Sequence, residues 1–462
     1  MKKSAFSFLV VLFFSLAAFA EYNIGSIPDS AQIRRSIESA WLLPSVSVLR
    51  GYAEEFRENE AGAAFQIRME ESDSEFSVVV APRSELDIDL INGESHHLVR
   101  ASVYPKGAPG SWILHRDKKT GNPLRIELHF SQDADVFVQF RQEGSKTFAD
   151  MLVYGSYAAR SVPMGIPFRR LYSASFQEIR NWTARTLPWN KVSVIPGQYR
   201  DSLVMVSVIK DNLSSFVFTD SAAYDEAGEL KSIVTGGSYE FASGDGNRAL
   251  FQSGKAHCLS GAGFLKWIID GIVEPITGRG TSIMELLRPT VQFDPVGKLG
   301  VLSQEWNMTF ALDWCRNLAA QAYSVRSRRT VDFKSAGLDV TYSYFSSDVK
   351  DGVIVNSSGY IKDTGYAAER IKPLLYVLGV TEPSWFYLAA IRQGSSIKPD
   401  ELVFNNCAVL FPYFSENGRF GCFVFEQGAE ISLEAFIEKY KGSYIHLDRV
   451  KATETFFPYE KK

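Results

Sequence analysis

The sequence predicts an α+β protein in two parts: a β-rich N-terminal domain over residues 21–240 and an α+β C-terminal domain over residues 241–462. Three observations predict it. Apolar and polar residues alternate with period two through much of residues 75–142, the pattern of half-buried strands. Two clusters of turn formers, Thr235-Gly236-Gly237-Ser238 and Ser243-Gly244-Asp245-Gly246-Asn247, then break the chain near residue 240. Beyond them helical spacing comes first and strand alternation second, the order of an α+β arrangement. A chain of 462 residues also exceeds what one hydrophobic core usually serves.

The elements follow in order. Residues 1–20 read as a secretory signal, with Lys2 and Lys3 ahead of the apolar run Phe6–Leu16 and small residues at Ala18 and Ala20. That run is too short to span a bilayer, and no later stretch is long and apolar enough. The mature chain is therefore expected to begin at Glu21, outside the cytoplasm (periplasmic or secreted), with no transmembrane anchor after cleavage. A first helix is expected from Asp29, with Gln32 as capping-box partner and Ile33, Ile37 and Trp41 on one face. Strands are expected at Glu75–Ala81, Trp112–Arg116, Leu124–Phe130 and Val136–Gln142, with Asp117–Asn122 as a hairpin turn. Ser202–Ile209 and Ser215–Thr219 read as further strands. Past residue 240, Leu259–Val273 is apolar nearly all round, the mark of a buried helix. Thr309–Tyr323 and Ala367–Leu378 are also helical. Trp385–Arg392, Asn406–Phe414 and Arg419–Glu426 are strands, the last two joined through Ser415-Glu416-Asn417-Gly418. A helix capped by Ser432 and stopped by Gly442 precedes a final strand, Tyr444–Val450.

Composition narrows the function classes. The formal net charge is −4, and −6 once Lys2 and Lys3 leave with the signal. A mildly acidic chain has no global attraction for nucleic acid, and none is expected as a partner. Four cysteines are too few to staple so long a chain. No phosphate-binding glycine loop, no G-x-S-x-G and no zinc-spaced Cys/His pairs occur, so neither cofactor nor metal is expected. Ser395-Ser396-Ile397-Lys398 and Lys119-Thr120-Gly121 match the S-x-x-K and K-T-G of penicillin-binding proteins. Their order is reversed and the second sits in a plain turn, so that reading fails.

Two sets of residues could carry chemistry. Cys258, in Ala256-His257-Cys258-Leu259-Ser260-Gly261, is expected at the N-terminal edge of a buried helix, where the helix dipole favours a thiolate. Its base would be His446, with Asp448 two residues further along the same strand face, although a histidine on a final strand ordinarily faces solvent. Asp313, Arg316 and Asn317 recur at i, i+3 and i+4, so they could meet on one helix face as a binding patch or tie that helix to its neighbours. Across the Ser415–Gly418 turn, pairing Phe414 with Arg419 sets Cys407 and Cys422 four residues apart along the ladder, roughly 13 Å at strand rise. That is too far for a disulfide.

The segment Gly261-Ala262-Gly263-Phe264-Leu265-Lys266-Trp267, followed much later by Cys407-Ala408-Val409-Leu410-Phe411-Pro412, a Glu416-Asn417-Gly418 turn and Arg419-Phe420-Gly421-Cys422-Phe423-Val424, resembles the NlpC-type papain-like cysteine peptidases that cut peptidoglycan stem peptides. In that family D-C-S-G-F-V opens the domain's helix, and a strand H-V-G-I-Y precedes a tight turn and a returning strand. The resemblance covers about half the chain and implies a papain-like fold with a peptidoglycan or peptide ligand. Aligning Gly263-Phe264 on the family's Gly-Phe places Gly261 in the nucleophile position, and aligning the hairpins places Cys407 or Asn406 in the histidine position. On that alignment the domain binds without cutting. The alternatives are a divergent cysteine amidase or peptidase using Cys258, and an envelope structural protein.

Overall fold

The computed structural model describes residues 27–92, 95–291, 308–346, 348–350, 353–356, 359–394 and 402–459. Residues 1–20, expected to be a secretory signal, and the Ser395–Lys398 motif lie outside them. The architecture is α+β: a large antiparallel sheet first, then helices packed on a second sheet.

Helix α1 (Ala31–Ile37) runs into a π turn at Glu38–Leu42. Ile33, Ile37 and Trp41 are buried, as their spacing predicts. The capping box does not form. Ser30 is the N-cap, and the Asp29 carboxylate divides between the N–H of Ala31 at 2.7 Å and the N–H of Phe176 at 2.6 Å, while Gln32 accepts from Glu60. Asp29 thus serves the start of α2 (Phe176–Thr183), a demand no local pattern reveals.

Eight strands follow: β1 (Glu55–Glu58), β2 (Ala64–Glu71), β3 (Glu75–Pro82), β4 (Trp112–Asp117), β5 (Pro123–His129), β6 (Val136–Glu143), β7 (Lys146–Val153) and β8 (Ser156–Pro163). Each pairs antiparallel with the next, a meander interrupted only by a separate hairpin, Ser84–Asn92 with Ser95–Val103. The predicted alternation holds: Ile126, Leu128, Val136, Val138 and Phe140 point into a core closed by α1, α2 and the turns between residues 168 and 199. In the Asp117–Asn122 turn the Asp117 carboxylate accepts from Thr120 at 2.7 Å, and Gly121 supplies a φ of +71°.

Residues read as a strand at 202–209 form helix α3 (Arg200–Asn212) instead. Its β-branched residues favour a strand locally, but Ser202, Met205, Val206 and Ile209 fall on one buried face at helical spacing, and tertiary packing decides. Strand β9 (Phe216–Phe218) is short, and β10 (Ala222–Tyr224) pairs with Leu230–Ser232. β9 pairs in parallel with β11 (His257–Leu259), so hydrogen bonds cross residue 240.

Two long helices, α4 (Gly261–Thr277) and α5 (Phe310–Ser327), precede α6 (Ile371–Thr381). The second sheet comprises β12 (Tyr366–Ala367), β13 (Trp385–Gly394), β14 (Leu402–Phe414), β15 (Phe420–Glu426), β16 (Ala429–Ile431) and, after α7 (Leu433–Lys439), β17 (Tyr444–Lys451). Its antiparallel order is β12-β17-β13-β14-β15-β16, so the last strand in sequence is an interior one. One face, with Tyr387, Ala389, Ala408, Leu410 and Leu447, shares its core with α6 and the N-terminal sheet. The other, with Leu388, Ala390, Cys407, Val409 and Phe425, packs under α4 and α5. No helix among the described residues is long and apolar enough to cross a membrane.

Candidate functional site

Two places on the α4/α5 face gather chemistry. The first is a cavity of about 240 Å³ where the start of α4 meets β14, bordered by Ser260, Gly261, Asn406, Cys407 and Gln427. Ser260 caps α4 by accepting from Gly263 N–H at 3.0 Å, and donates to the Ala222 carbonyl at 3.0 Å. Gly263 lets the helix lie against β10, because a Cβ there would overlap the Ala222 carbonyl oxygen. Gly261 is different. A Cβ added to it would meet only Gln427 Cγ at 3.4 Å and Cys407 Sγ at 4.0 Å, ordinary contacts. Position 261 therefore faces position 407 directly. Burial, and then the nearby Glu426 carboxylate, push the Cys407 thiol up to about 12, so it is neither nucleophile nor base near pH 7.

The second place lies beneath a larger polar cavity, about 750 Å³, lined among others by Arg316, Asp339, Tyr360 and Asp363. Under it, β17 directs His446 and Asp448 toward α5, both fully buried. His446 Nδ1 lies 3.4 Å from Asp448 Oδ2, and Nε2 lies 3.4 Å from Asp339 Oδ2. Arg316 Nη2 donates to Asp339 at 2.7 Å and to Asp363 at 2.9 Å, and stands 3.3 Å from His446 Nε2. Burial works to lower the His446 pKa, but the carboxylates of Asp448 and Asp339 outweigh it and raise it to about 9. Burial holds Asp448 up at about 6 against the pull of His446. Asp339, also buried, is held well below the usual carboxylate range by His446 and Arg316.

The sequence-predicted residues divide between these places and a third. His446 and Asp448 do come together, but on an interior strand rather than facing solvent. Cys258 does not join them. It lies in β11, not at the start of α4, with its thiol buried and 3.7 Å from the Asn247 carbonyl. The apolar run that suggests a helix start at residue 259 hides a parallel pairing with Phe216–Phe218, a partner some forty residues away in sequence. Asp448, Asp339, Arg316 and Tyr360 all come within 3.4 Å of the His446 ring nitrogens, although Nδ1 makes no hydrogen bond to Asp448.

Asp313, Arg316 and Asn317 do share one side of α5, and they tie it to its neighbours. Asp313 accepts from the N–H and hydroxyl of Thr290, both at 2.6 Å, and Asn317 donates to the Leu286 and Arg288 carbonyls. Only Arg316 reaches the charged cluster. Sequence reasoning missed Asp339, Tyr360 and Asp363, which come from irregular segments. Asp339 meets Asp448 through an isolated antiparallel bridge, and nothing periodic in the sequence marks it.

The cysteine pairing expectation holds in outcome but not in register. None of the four cysteines is in a disulfide. Phe414 pairs with Phe420, not Arg419, because Ser415 and Asn417 draw Arg419 into the loop, and Cys422 therefore faces Pro412.

Compared with known proteins, residues 23–191 match the family described as a domain of unknown function (DUF8515), a span holding α1, the eight-stranded sheet and α2. No curated protein matches the chain. No solved structure matches it either.

Proposed function

We propose that this chain is an exported cell-envelope protein whose C-terminal part binds peptidoglycan stem peptides, or a peptide of similar form, in a papain-like cleft that has lost its catalytic pair. One observation carries the reading. The position that the resemblance assigns to the nucleophile, Gly261, and those it assigns to the histidine, Cys407 or Asn406, come from elements more than a hundred residues apart in sequence, yet all border one cavity, with Cys407 nearest Gly261. Glycine has nothing to attack with, and a thiol held near 12 cannot relay a proton as imidazole does. What remains is an apolar and amide-lined recess, with Asn405, Asn406 and Gln427 to bond a peptide backbone, at the positive end of α4.

The amidase alternative, with Cys258 as nucleophile, finds less support, since that thiol and His446 would have to leave separate buried settings to meet. Calorimetric titration of the full chain with a synthetic stem peptide tests the proposal. Saturable binding without cleavage is expected, weakened at least tenfold by Gly261→Phe, whose ring would occupy the recess. Equal affinity in that variant, or no binding to the unaltered chain, contradicts the proposal.

A further inference from the structure

We infer that Asp448, His446 and Asp339 form a divalent-cation site beneath the 750 Å³ polar cavity. The inference does not rest on the peptide-binding reading. The Asp339–Asp448 bridge sets two carboxylates side by side across neighbouring backbones, and His446, two residues before Asp448, falls on the same strand face. One ligand atom from each of the three lies within 4.8 Å of the others.

A cluster of acids alone would say little, but a second observation points to a ligand. Both oxygens of Asp448 and Nδ1 of His446 find no hydrogen-bond partner among the described residues, although both side chains are fully buried. Buried polar atoms are nearly always bonded, and a carboxylate left without hydrogen bonds in a core is costly unless a charge sits on it. A carboxylate oxygen and an imidazole nitrogen are also atoms that first-row ions take as ligands. The 3.4 Å between His446 Nδ1 and Asp448 Oδ2 matches the roughly 3.4 Å chord across a tetrahedral ion with bonds of about 2.0–2.1 Å.

Arg316 bonds two of the three neighbouring carboxylates, Asp339 and Asp363, and makes no hydrogen bond to Asp448. Arg316, holding one oxygen of Asp339, and Tyr360, 3.3 Å from His446 Nε2, orient the ligands from outside. Two carboxylates and one imidazole suit a first-row ion such as Zn²⁺.

The test uses the full chain stripped with a chelator, titrated with Zn²⁺ by calorimetry and with Co²⁺ by visible absorption. One equivalent of each should bind, with cobalt d–d bands and a raised Tm. Asp448→Asn and His446→Gln should each weaken binding by at least about a hundredfold. No saturable binding by the unaltered chain overturns the inference, as does binding that survives both substitutions. Should a variant fail to fold, ¹⁵N NMR of the unaltered chain decides: the His446 ring nitrogens must shift when Zn²⁺ binds, and ring signals left unmoved overturn the inference.

Discussion

Replacing Gly261 by cysteine would place a nucleophile in the recess, and the structure says how that thiol should behave. The added Cβ meets nothing closer than 3.4 Å, and the residue is the first of α4, a seventeen-residue helix. Unpaired N–H groups at a helix start stabilise a thiolate, so its pKa should fall from about 8.5 to about 7. At pH 7 the thiolate fraction then rises from roughly 3% to roughly half, about sixteenfold. The lower basicity costs about fivefold in nucleophilicity, leaving a net gain of about threefold over an exposed peptide thiol at pH 7, and about sixfold at pH 6. The assay is iodoacetamide alkylation, followed by mass spectrometry across pH. The native background is low, because Cys258, Cys315 and Cys407 are buried and burial holds the Cys422 thiol far above its usual range. Adding Cys407→His should lower the midpoint further, since Sγ of residue 407 lies 4.0 Å from the new Cβ. A midpoint at or above 8.5, unmoved by the histidine, would refute the geometry argued for this recess.

Other consequences are as direct. Gly263→Ala should destabilise the protein by about 2–3 kcal/mol in urea denaturation, because its Cβ collides with the Ala222 carbonyl, whereas Gly261→Ala should be neutral or stabilising by up to about 1 kcal/mol. Equal effects at the two sites would mean that α4 does not lie against β10. Arg34 is buried and donates to the carbonyls of Leu171, Tyr172 and Ala174, so Arg34→Ala should cost about 3–5 kcal/mol by the same measurement, and a loss under 1 kcal/mol would contradict that role. Glu127 is held well below the usual carboxylate range: burial opposes this, and His115, His129 and Arg125 outweigh it. A depressed folded pKa gives stability that is present above the unfolded value near 4.3 and lost as pH falls below it. Glu127→Gln should therefore flatten the acid limb of a stability profile measured from pH 7 to pH 3, and an unchanged slope would exclude Glu127 as its source.

Where a signal was local, the chain announced its structure. Alternation placed β5 and β6, helical spacing placed α5 and α7, and the shared strand face of His446 and Asp448 was read correctly. What failed was set by distant partners. Val204, Val206 and Val208 favour a strand, but the burial of Met205, Val206 and Ile209 against the second core makes α3, a period that was present in the sequence and outweighed by β propensity. Cys258 belongs to a three-residue strand that exists only because Phe216–Phe218 lies beside it. His446 is buried because β17 inserts between β12 and β13, a topology that sequence order does not reveal. Asp339 reaches the cluster from an irregular segment through a single bridge, and nothing periodic marks it.

The central claim is a papain-like cleft that holds a cell-wall peptide and leaves it whole. Incubating the full chain with purified sacculi, then assaying both co-sedimentation and released fragments by mass spectrometry, tests it most directly. The account predicts that the chain sediments with the sacculi, that Gly261→Phe stays in solution, and that no stem-peptide fragments appear. Fragments that vanish with Cys258→Ala would contradict it, as would a Gly261→Phe chain that sediments as well as the unaltered one.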